Sequence, residues 1–465
     1  MSPDEWATAF KAATTDIGAM DVDSISYNES ADRMRTLLKT GLLRHTDLRN
    51  NPERFFLAHR LLASYAPKLG PGFWIRFTVH YNLCTGTVLG LGGEDQLQEL
   101  ETMQDQGLLG CFSLTERLAG VSSGLVVNTK ATWDPVQSVF HLSSPDDGAV
   151  KNWISQGLVA DKTVVMADLV IGGKPFGPHA FFMNLRENGN VVSGVSHGDM
   201  GKKTVGNDLD NAWISFNNVT LPKSALLNRY ADIDGTNYIQ KVKGVPVFHM
   251  IGQRLFTGRV AVAQAALEFR RSLFSSTKSY AGKKECWDPR KNRLLSSLPQ
   301  LKSLFEENEA NQTRMDAFVG KCETELCTAL KSNSMPSFKL VEAIAVAKVK
   351  AVEDSIKFVH RLQNEVGSYA LMKGTGFEQT DFLTCCKFAE GDSRVLMQKM
   401  TRDRVKLFRD KQMDSAEMDE EMELCSVLVK ALQNNPTTGW DDNFQIVYKL
   451  ADTIMHRVMV DFLKK

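Results

Sequence analysis

The sequence lacks an excess of charge and lacks a long apolar run. Its 465 residues include 55 Lys and Arg and 55 Asp and Glu, so the formal net charge is zero. Proteins that bind nucleic acid or anionic membranes through a basic surface need a positive excess, which argues against both classes here. No apolar stretch approaches the roughly 20 residues that cross a bilayer. We therefore expect no nucleic-acid partner and no membrane span.

Patterns that mark particular sites or compartments are missing as well. The N-terminal sequence MSPDEWATAF carries acids where a secretory or transit peptide carries basic residues, so we expect neither leader. The eight cysteines show no zinc spacing and the histidines no metal spacing, which predicts reduced intracellular thiols and no metal. No Gly-x-Ser-x-Gly elbow is present for a serine nucleophile.

The residues that are present change their periodicity along the chain. Apolar residues recur at helical spacing over residues 1–109, whereas alternating stretches indicate strands over residues 110–227. Helical spacing returns over 228–410 and continues in a helical extension, 411–465. We therefore predict an α+β multidomain chain with an N-terminal helical domain, a middle antiparallel β domain and a C-terminal helical bundle.

Several local features sharpen this prediction. Residues 126–132 and 211–221 alternate between apolar and polar side chains, and each predicts one strand. The valine-rich run 163–171 predicts a strand buried on both faces, and apolar spacing predicts a long helix that starts near Leu340. The Asn-Gly pair at 188–189 predicts a tight hairpin. The glycines at 86, 90, 92 and 93 are a poor match to a dinucleotide fingerprint because no strand precedes them, and they predict a loop between helices.

A series of short motifs follows the order found in the acyl-CoA oxidase and acyl-CoA dehydrogenase flavoprotein superfamily, and the oxidase branch is the closer match. The resemblance covers about residues 70–410 and implies the superfamily fold, an FAD cofactor, an acyl-CoA substrate and a homodimer. The motifs are CFSLTE at 111–116 followed by Gly120, WDP at 133–135, 140–147 leading to Trp153, 199–222, 226–229 with 234–235, GRV at 258–260, and AEGDSRVL at 389–396.

The resemblance implies roles for individual residues. Glu390 matches the catalytic glutamate, Thr115 would hydrogen-bond the edge of the flavin ring, and Trp153 would lie over the ring with Ser155 nearby. The remaining implied contacts are to the cofactor through Gly120, Lys284, Trp287 and Gly374, and to the substrate through Ser122, Arg259 and Gly391.

The chemistry explains why these residue types are needed. Removing hydrogens from two adjacent carbons of a thioester requires a base for the α-proton and an acceptor for the β-hydride, and no side chain accepts hydride. A desolvated carboxylate suits the base. The enolate oxygen needs donors, which in the superfamily are a flavin ribityl hydroxyl and the amide of the catalytic glutamate, here Glu390.

Each of these assignments has a structural alternative. Residues 390–392 alone would predict a helix start capped by Asp392. Trp153 alone would predict a core tryptophan. Glu116 has no role that the sequence explains, and it is predicted to be a solvated loop acid.

The sequence also departs from the superfamily pattern. Val121 stands where a small hydroxyl residue is usual, Lys284 where arginine is usual, and the stretch between Phe377 and Glu390 is shorter than usual. The chain ends short of a full-length oxidase.

Three functions follow from the resemblance and these departures. The first is an acyl-CoA oxidase that forms trans-2-enoyl-CoA and passes electrons to oxygen. The alternatives are a dehydrogenase that uses an electron-transfer flavoprotein, and a catalytically impaired, oxidase-like structural subunit. The oxidase implies a peroxisomal protein, with the mitochondrion as an alternative, although the final Leu-Lys-Lys is not a Ser-Lys-Leu-type address.

Overall fold

The protein divides into two units, each defined by contacts among its own residues. The first unit contains residues 1–261 and 329–335, and the second contains 262–328 and 336–465. The domain limits at 109, 227 and 410 stay a prediction. The structure is a computed structural model, and it describes residues 1–17, 25–64, 70–120, 123, 126–242, 247–410 and 419–464.

Helices form the beginning of the first unit. The first two helices each begin with a capping box at Ser2 or Ser26. The serine side chain accepts from the backbone N–H three residues later, and the carboxylate of Glu5 or Glu29 accepts from the backbone N–H of the serine. In the described part of residues 1–109 the helices are α1 Pro3–Asp16, α2 Tyr27–Lys39, α3 Asp47–Asn50, α4 Pro52–Ser64, α5 Pro71–Thr78, α6 Gly86–Leu91 and α7 Glu94–Gln106.

Helices α5 and α6 are joined by a π-helical segment, Val79–Thr85, into one continuous helical stretch. The predicted loop at glycines 86 and 90 is therefore wrong, because every residue of α6 is buried and packing overrides the low helix propensity of glycine. Gly92, which is extended, does end the stretch, and the position requires glycine because a Cβ there would lie 2.7 Å from the Val88 carbonyl oxygen. Single π-helical turns are frequent near functional sites.

Strands form most of the remainder of the first unit. The larger sheet has the order β1-β5-β2-β3-β11 with β6 paired to β5, and a smaller sheet has the order β4-β10-β9. Antiparallel pairs dominate, but β5 pairs in parallel with β1 and β2, so the larger sheet is mixed. The strands are β1 Gly110–Ser113, β2 Lys130–Asp134, β3 Val139–Ser143, β4 Lys151–Ser155, β5 Lys162–Ile171, β6 Lys174–Asn184, β7 Arg186–Glu187, β8 Asn190–Val191, β9 Val195–Asp199, β10 Asn211–Phe216, β11 Val219–Pro222, β12 Ala231–Asp234 and β13 Asn237–Gln240.

The strand predictions are partly confirmed. The hairpin at 188–189 is present between β7 and β8, with both residues in the left-handed region. The strand predicted at 126–132 begins only at Lys130. The strand predicted at 211–221 is two strands in different sheets, because Asn218 takes a φ of +52° and turns the chain between β10 and β11.

The second unit is built mainly from helices. The long helix predicted to start near Leu340 begins at Phe338, with Ser337 as its cap, and it packs against the helices at 381–388, 393–409 and 444–464. The remaining described elements are α8 Val247–Ala281, β14 Glu285–Cys286, β15 Arg293–Leu294, α9 Pro299–Lys331, α10 Phe338–Val366, α11 Asp381–Phe388, α12 Ser393–Arg409, α13 Asp419–Asn434 and α14 Phe444–Lys464. The start of α8, up to residue 261, and the end of α9, from residue 329, belong to the first unit.

A buried ionic triad ties the last three helices together. Glu421 on α13 is fully buried, and its carboxylate oxygens lie 2.6 Å from the Arg404 Nε on α12 and 2.7 Å from the Arg457 Nε on α14. A carboxylate held by two guanidinium groups keeps its charge satisfied inside the bundle.

Among the described residues, no helix has the length and apolar character needed to cross a membrane. Nor do three or more His, Cys, Asp or Glu side chains converge there in an arrangement that would hold a metal ion. All eight cysteines are free thiols.

Candidate active site

Strand β1 carries the segment on which the sequence assignments depend. Gly110 must be glycine, since a Cβ there would lie 2.3 Å from the Cys84 Sγ. Its N–H donates to the His80 Nδ1 over 3.1 Å, and its carbonyl accepts from the Gln156 Nε2 over 2.6 Å. These contacts fix the start of β1, and Thr115 follows two residues after its end.

Thr115, Trp153 and Ser155 come together at strand β4. The Asn152 N–H donates to the Thr115 carbonyl over 2.8 Å, so the Thr115 segment lies beside β4. Trp153 is the next residue of that strand, and Ser155, at its end, accepts from the Asn211 Nδ2 over 3.1 Å. The Thr115 residue is exposed. The sequence prediction that these three residues share one site is consistent with this arrangement, while their contacts to a ligand stay a prediction.

Trp153 is presented to solvent by a bulge. Strand β10 pairs Ala212 with Ile154 and Ile214 with Lys151, so two residues of β4 oppose one residue of β10. Trp153 takes a φ of +58°, a left-handed conformation that costs a side-chain-bearing residue about 1–2 kcal/mol. Trp153 is 56 % exposed, so the alternative of a core tryptophan is wrong. Bulges commonly re-aim a side chain toward a site.

Glu116 forms a buried ion pair, although the sequence predicts a solvated loop acid. The Lys151 Nζ lies 2.9 Å from the Glu116 Oε1, and both side chains are fully buried. The Glu116 carboxylate also accepts from the Asn128 N–H, the Thr129 N–H and the Thr129 hydroxyl over 2.7, 2.9 and 2.8 Å. The two N–H groups that Glu116 binds are thus unavailable to a sheet, which explains why β2 starts late.

Lys151 connects the same segment to the larger sheet. Its Nζ donates to the Leu114 carbonyl over 3.2 Å and to a β5 carbonyl over 2.7 Å. Burial lowers the pKa of the Lys151 ammonium to about 8, although the Glu116 carboxylate opposes this shift. Leu114 directly precedes Thr115, and Lys151 begins β4. The pair of Glu116 and Lys151 therefore fixes both the Thr115 segment and the strand that carries Trp153. Sequence reasoning missed it, because the only signal is two opposite charges 35 residues apart.

Three further assignments in the first unit stay predictions. Gly120 is exposed, and its N–H donates to the Ser123 Oγ over 2.9 Å. Ser122 and Val121 lie outside the described residues. Arg259 is half-buried on α8, with its guanidinium carbon 5.7 Å from the centre of the Phe256 ring.

In the second unit, Glu390 occupies a left-handed turn between α11 and α12. Glu390 is only 8 % exposed and has a φ of +57°, and Gly391 follows with a φ of +95°. The Asp392 Oδ1 accepts from the Arg394 and Val395 N–H groups over 2.7 and 3.3 Å, so the predicted cap of α12 is confirmed. Capping by Asp392 does not explain a buried acid in a strained conformation two residues earlier.

The other assignments in the second unit follow two stacked tyrosines along the chain. The Tyr280 and Tyr369 rings stack with centroids 3.7 Å apart and bring the end of α8 to the turn after α10. Lys284 and Trp287 follow Tyr280, and Trp287 is 81 % exposed. Gly374 follows Tyr369 with a φ of +83°. Their contacts to a cofactor stay predictions.

The chain is similar in sequence to several known proteins. The acyl-coenzyme A oxidase of Eremothecium gossypii is 29 % identical over 370 residues, which cover 74 % of this chain and 49 % of that protein. The peroxisomal acyl-coenzyme A oxidase 2 of Arabidopsis thaliana is 31 % identical over 250 residues, 49 % of this chain and 35 % of that protein. The chain thus spans about half the length of the first of these. No family model matches the chain.

Solved structures with the same fold were found as well. Acyl-CoA oxidase-2 of Caenorhabditis elegans, solved with FAD, ascaroside-CoA and ATP, has a TM-score of 0.80 and 16 % identity over 98 % of this chain and 75 % of that one. Butyryl-CoA dehydrogenase of Megasphaera elsdenii has a TM-score of 0.64 and 17 % identity over 85 % of this chain and 97 % of that one.

The chain is similar in sequence to the acyl-CoA oxidases, and its fold is that of the acyl-CoA oxidase and acyl-CoA dehydrogenase superfamily. The fold prediction is therefore confirmed. The superfamily resemblance inferred from the motifs is confirmed too, with the sequence matches reported above falling in the oxidase branch.

Proposed function

We propose that this chain binds FAD and oxidises acyl-CoA thioesters to trans-2-enoyl-CoA, with oxygen as the electron acceptor. The observation that carries the proposal is the exposed indole of Trp153 on a bulged strand, beside the exposed Thr115. Similarity to acyl-CoA oxidases, one of them solved with FAD and ascaroside-CoA, supports the same function.

The residues of the first unit fit a flavin ring. A flat aromatic surface is left to solvent at Trp153, and the neighbouring Thr115 can offer a hydroxyl donor to the edge of a planar group. The buried pair of Glu116 and Lys151 holds the two segments in place. FAD, when bound, would supply the hydride acceptor that no side chain can provide and would pass the electrons on.

Glu390 would supply the base. The Glu390 carboxylate would take the α-proton of the thioester, and its backbone N–H would donate to the thioester oxygen as negative charge develops there. Burial of Glu390 excludes water from the carboxylate, which suits a base that must act on a carbon acid. Gly391 allows the chain to turn immediately afterwards.

We also propose a homodimer and a peroxisomal location. Lys284 and the exposed Trp287 would contact the cofactor of the partner subunit, where Lys284 would bind a phosphate as a point charge and not as a bidentate fork. The peroxisome is favoured by the name of the Arabidopsis thaliana relative. Gel filtration of the FAD-loaded protein tests the first point, and a monomer would contradict it.

Spectroscopy tests the main proposal. The purified chain should show flavin absorbance, and anaerobic acyl-CoA should bleach it. Glu390→Gln should keep the absorbance and abolish the bleaching, because the variant retains the turn but loses the base. The control is Glu309→Gln, a change at an exposed residue of α9 that should bleach like the unaltered chain. A chain that takes up no FAD would refute the proposal.

A dehydrogenase is the second candidate, favoured by the fold shared with butyryl-CoA dehydrogenase. Stopped-flow mixing of the reduced protein with air separates the two candidates, since an oxidase should be reoxidised rapidly and a dehydrogenase sluggishly. A protein that binds FAD but is not bleached by acyl-CoA would instead fit a catalytically impaired, oxidase-like subunit.

A further inference from the structure

Lys348 is a fully buried lysine in the middle of α10. Its Nζ donates to the Lys387 carbonyl over 2.6 Å, to the Gly391 carbonyl over 2.8 Å and to the Ser393 Oγ over 3.1 Å. Two of these acceptors belong to the backbone, and all three lie within seven residues of chain. The ammonium therefore binds one short segment from the side of a neighbouring helix.

That segment contains Glu390. The Lys387 carbonyl belongs to the last turn of α11, whose final carbonyls have no partner inside the helix. The Gly391 carbonyl and the Ser393 hydroxyl lie on the other side of Glu390, at the start of α12. Lys348 thus binds the chain both before and after Glu390. A cation at a helix C-terminus is also favoured by the helix dipole.

The turn needs such support because its backbone is strained. Glu390 has a φ of +57° and Gly391 a φ of +95°. A residue with a side chain rarely adopts the left-handed region unless its surroundings impose it. The Ser393 hydroxyl also donates to the Lys387 carbonyl over 3.3 Å, which draws the two ends of the turn together.

We propose that Lys348 is a positioning residue for Glu390. Its ammonium holds the turn in the left-handed conformation and so fixes the direction of the Glu390 carboxylate and of the backbone N–H beside it. The catalytic part of this inference rests on the proposed function, whereas the support of the turn does not.

Hydrogen exchange tests the support of the turn without any activity. Lys348→Met removes the charge and the three donors but keeps a long side chain, and backbone amides of residues 388–392 should exchange at least about tenfold faster, because the turn opens more often. Lys350→Met is the matched control, since Lys350 lies on the same helix and pairs with Asp354 over 3.0 Å. Exchange at 388–392 should be unchanged in the control. Equal exchange in the two variants would overturn the proposal.

Kinetics of the FAD-loaded protein test the catalytic part. Lys348→Met should lower kcat about ten- to a hundredfold and leave KM for acyl-CoA and flavin content within about twofold, because the base is misdirected while the binding surfaces persist. A merely structural lysine would lower flavin content and kcat together, and that outcome would overturn the positioning role.

A second variant keeps the test decisive if Lys348→Met does not fold. Ser393→Ala removes the third acceptor and leaves the lysine and both carbonyls, so exchange at 388–392 should rise by a smaller factor. No rise in this folded variant would overturn the proposal. If the unaltered chain does not oxidise acyl-CoA, the proposed function fails, and the exchange comparison still decides whether Lys348 holds the turn.

Discussion

Breaking the buried pair of Glu116 and Lys151 should strongly destabilise the first unit. Glu116→Gln removes the negative charge and leaves the Lys151 ammonium buried against carbonyl oxygens alone. The side-chain amide preserves the shape but keeps only one of the two carboxylate oxygens, so either the Asn128 N–H or the donors of Thr129 lose their acceptor as well as the charge.

The magnitude follows from the burial of both partners. Removing one member of a buried ion pair costs about 3–5 kcal/mol, because the other charge is left uncompensated. For a unit of this size each kcal/mol corresponds to about 2–4 °C in the unfolding midpoint, so Glu116→Gln should lower it by about 6–20 °C. An exposed pair is worth only about 0–1 kcal/mol.

The assay is thermal unfolding of the cofactor-free protein followed by near-ultraviolet circular dichroism. Glu101→Gln is the control, because Glu101 is half-exposed, lies 2.9 Å from an Arg44 nitrogen and belongs to the same unit. The double variant Glu116→Gln/Lys151→Met should recover at least about half of the loss, since no buried charge then remains. Equal midpoints for Glu116→Gln and Glu101→Gln would refute the reasoning.

The pH dependence of the same pair has a definite sign. The pKa of Lys151 is about 8 in the folded protein and about 10.4 in an unfolded chain, because burial disfavours the charged form. Between these values the unfolded state binds more protons, so this group adds stability as the pH rises. Between about pH 8 and pH 10.5 the unfolding midpoint of the unaltered chain should therefore rise relative to that of Lys151→Met. A constant difference would contradict the shift.

Three further changes have clear expected outcomes. Burial lowers the pKa of His80 to about 3, so its neutral ring contributes stability that is lost as the pH falls below about 6.5; His80→Asn should flatten the fall of the unfolding midpoint between pH 6.5 and 4. Glu421→Gln should cost about 3–5 kcal/mol by thermal unfolding, because the buried Arg404 and the half-buried Arg457 lose their shared, fully buried carboxylate. Trp153→Ala should weaken FAD binding at least about tenfold by absorbance titration while shifting the unfolding midpoint little, since Trp153 is 56 % exposed.

Much of the fold could be predicted because its signals are local. The valine-rich run that became β5 is buried on both faces over most of its length, and its apolar composition alone predicts such a strand. Helix α10 shows helical spacing and a serine cap within a few residues. The hairpin at 188–189 depends on two neighbouring residues. In each case the information lies within one element.

The errors arose where distant residues decide the outcome. The glycines of α6 form a helix because the surrounding residues bury them. Strand β2 begins later than predicted because the N–H groups of residues 128–129 donate to the carboxylate of Glu116, which precedes them in the chain. Neither effect leaves a periodic pattern in the sequence, so propensity and spacing could not reveal it.

Two buried lysines show how this limit applies to the candidate site. Lysine is almost never fully buried, yet Lys151 and Lys348 both are. Taking an ammonium out of water costs several kcal/mol, and an apolar residue of similar size is often at least as stable. Each lysine binds a backbone carbonyl next to a residue that the motifs had singled out, Leu114 before Thr115 in one unit and Gly391 after Glu390 in the other. Both lysines are therefore buried against the backbone beside an assigned residue. The positioning of those residues explains this unusual burial better than the stability of the core does.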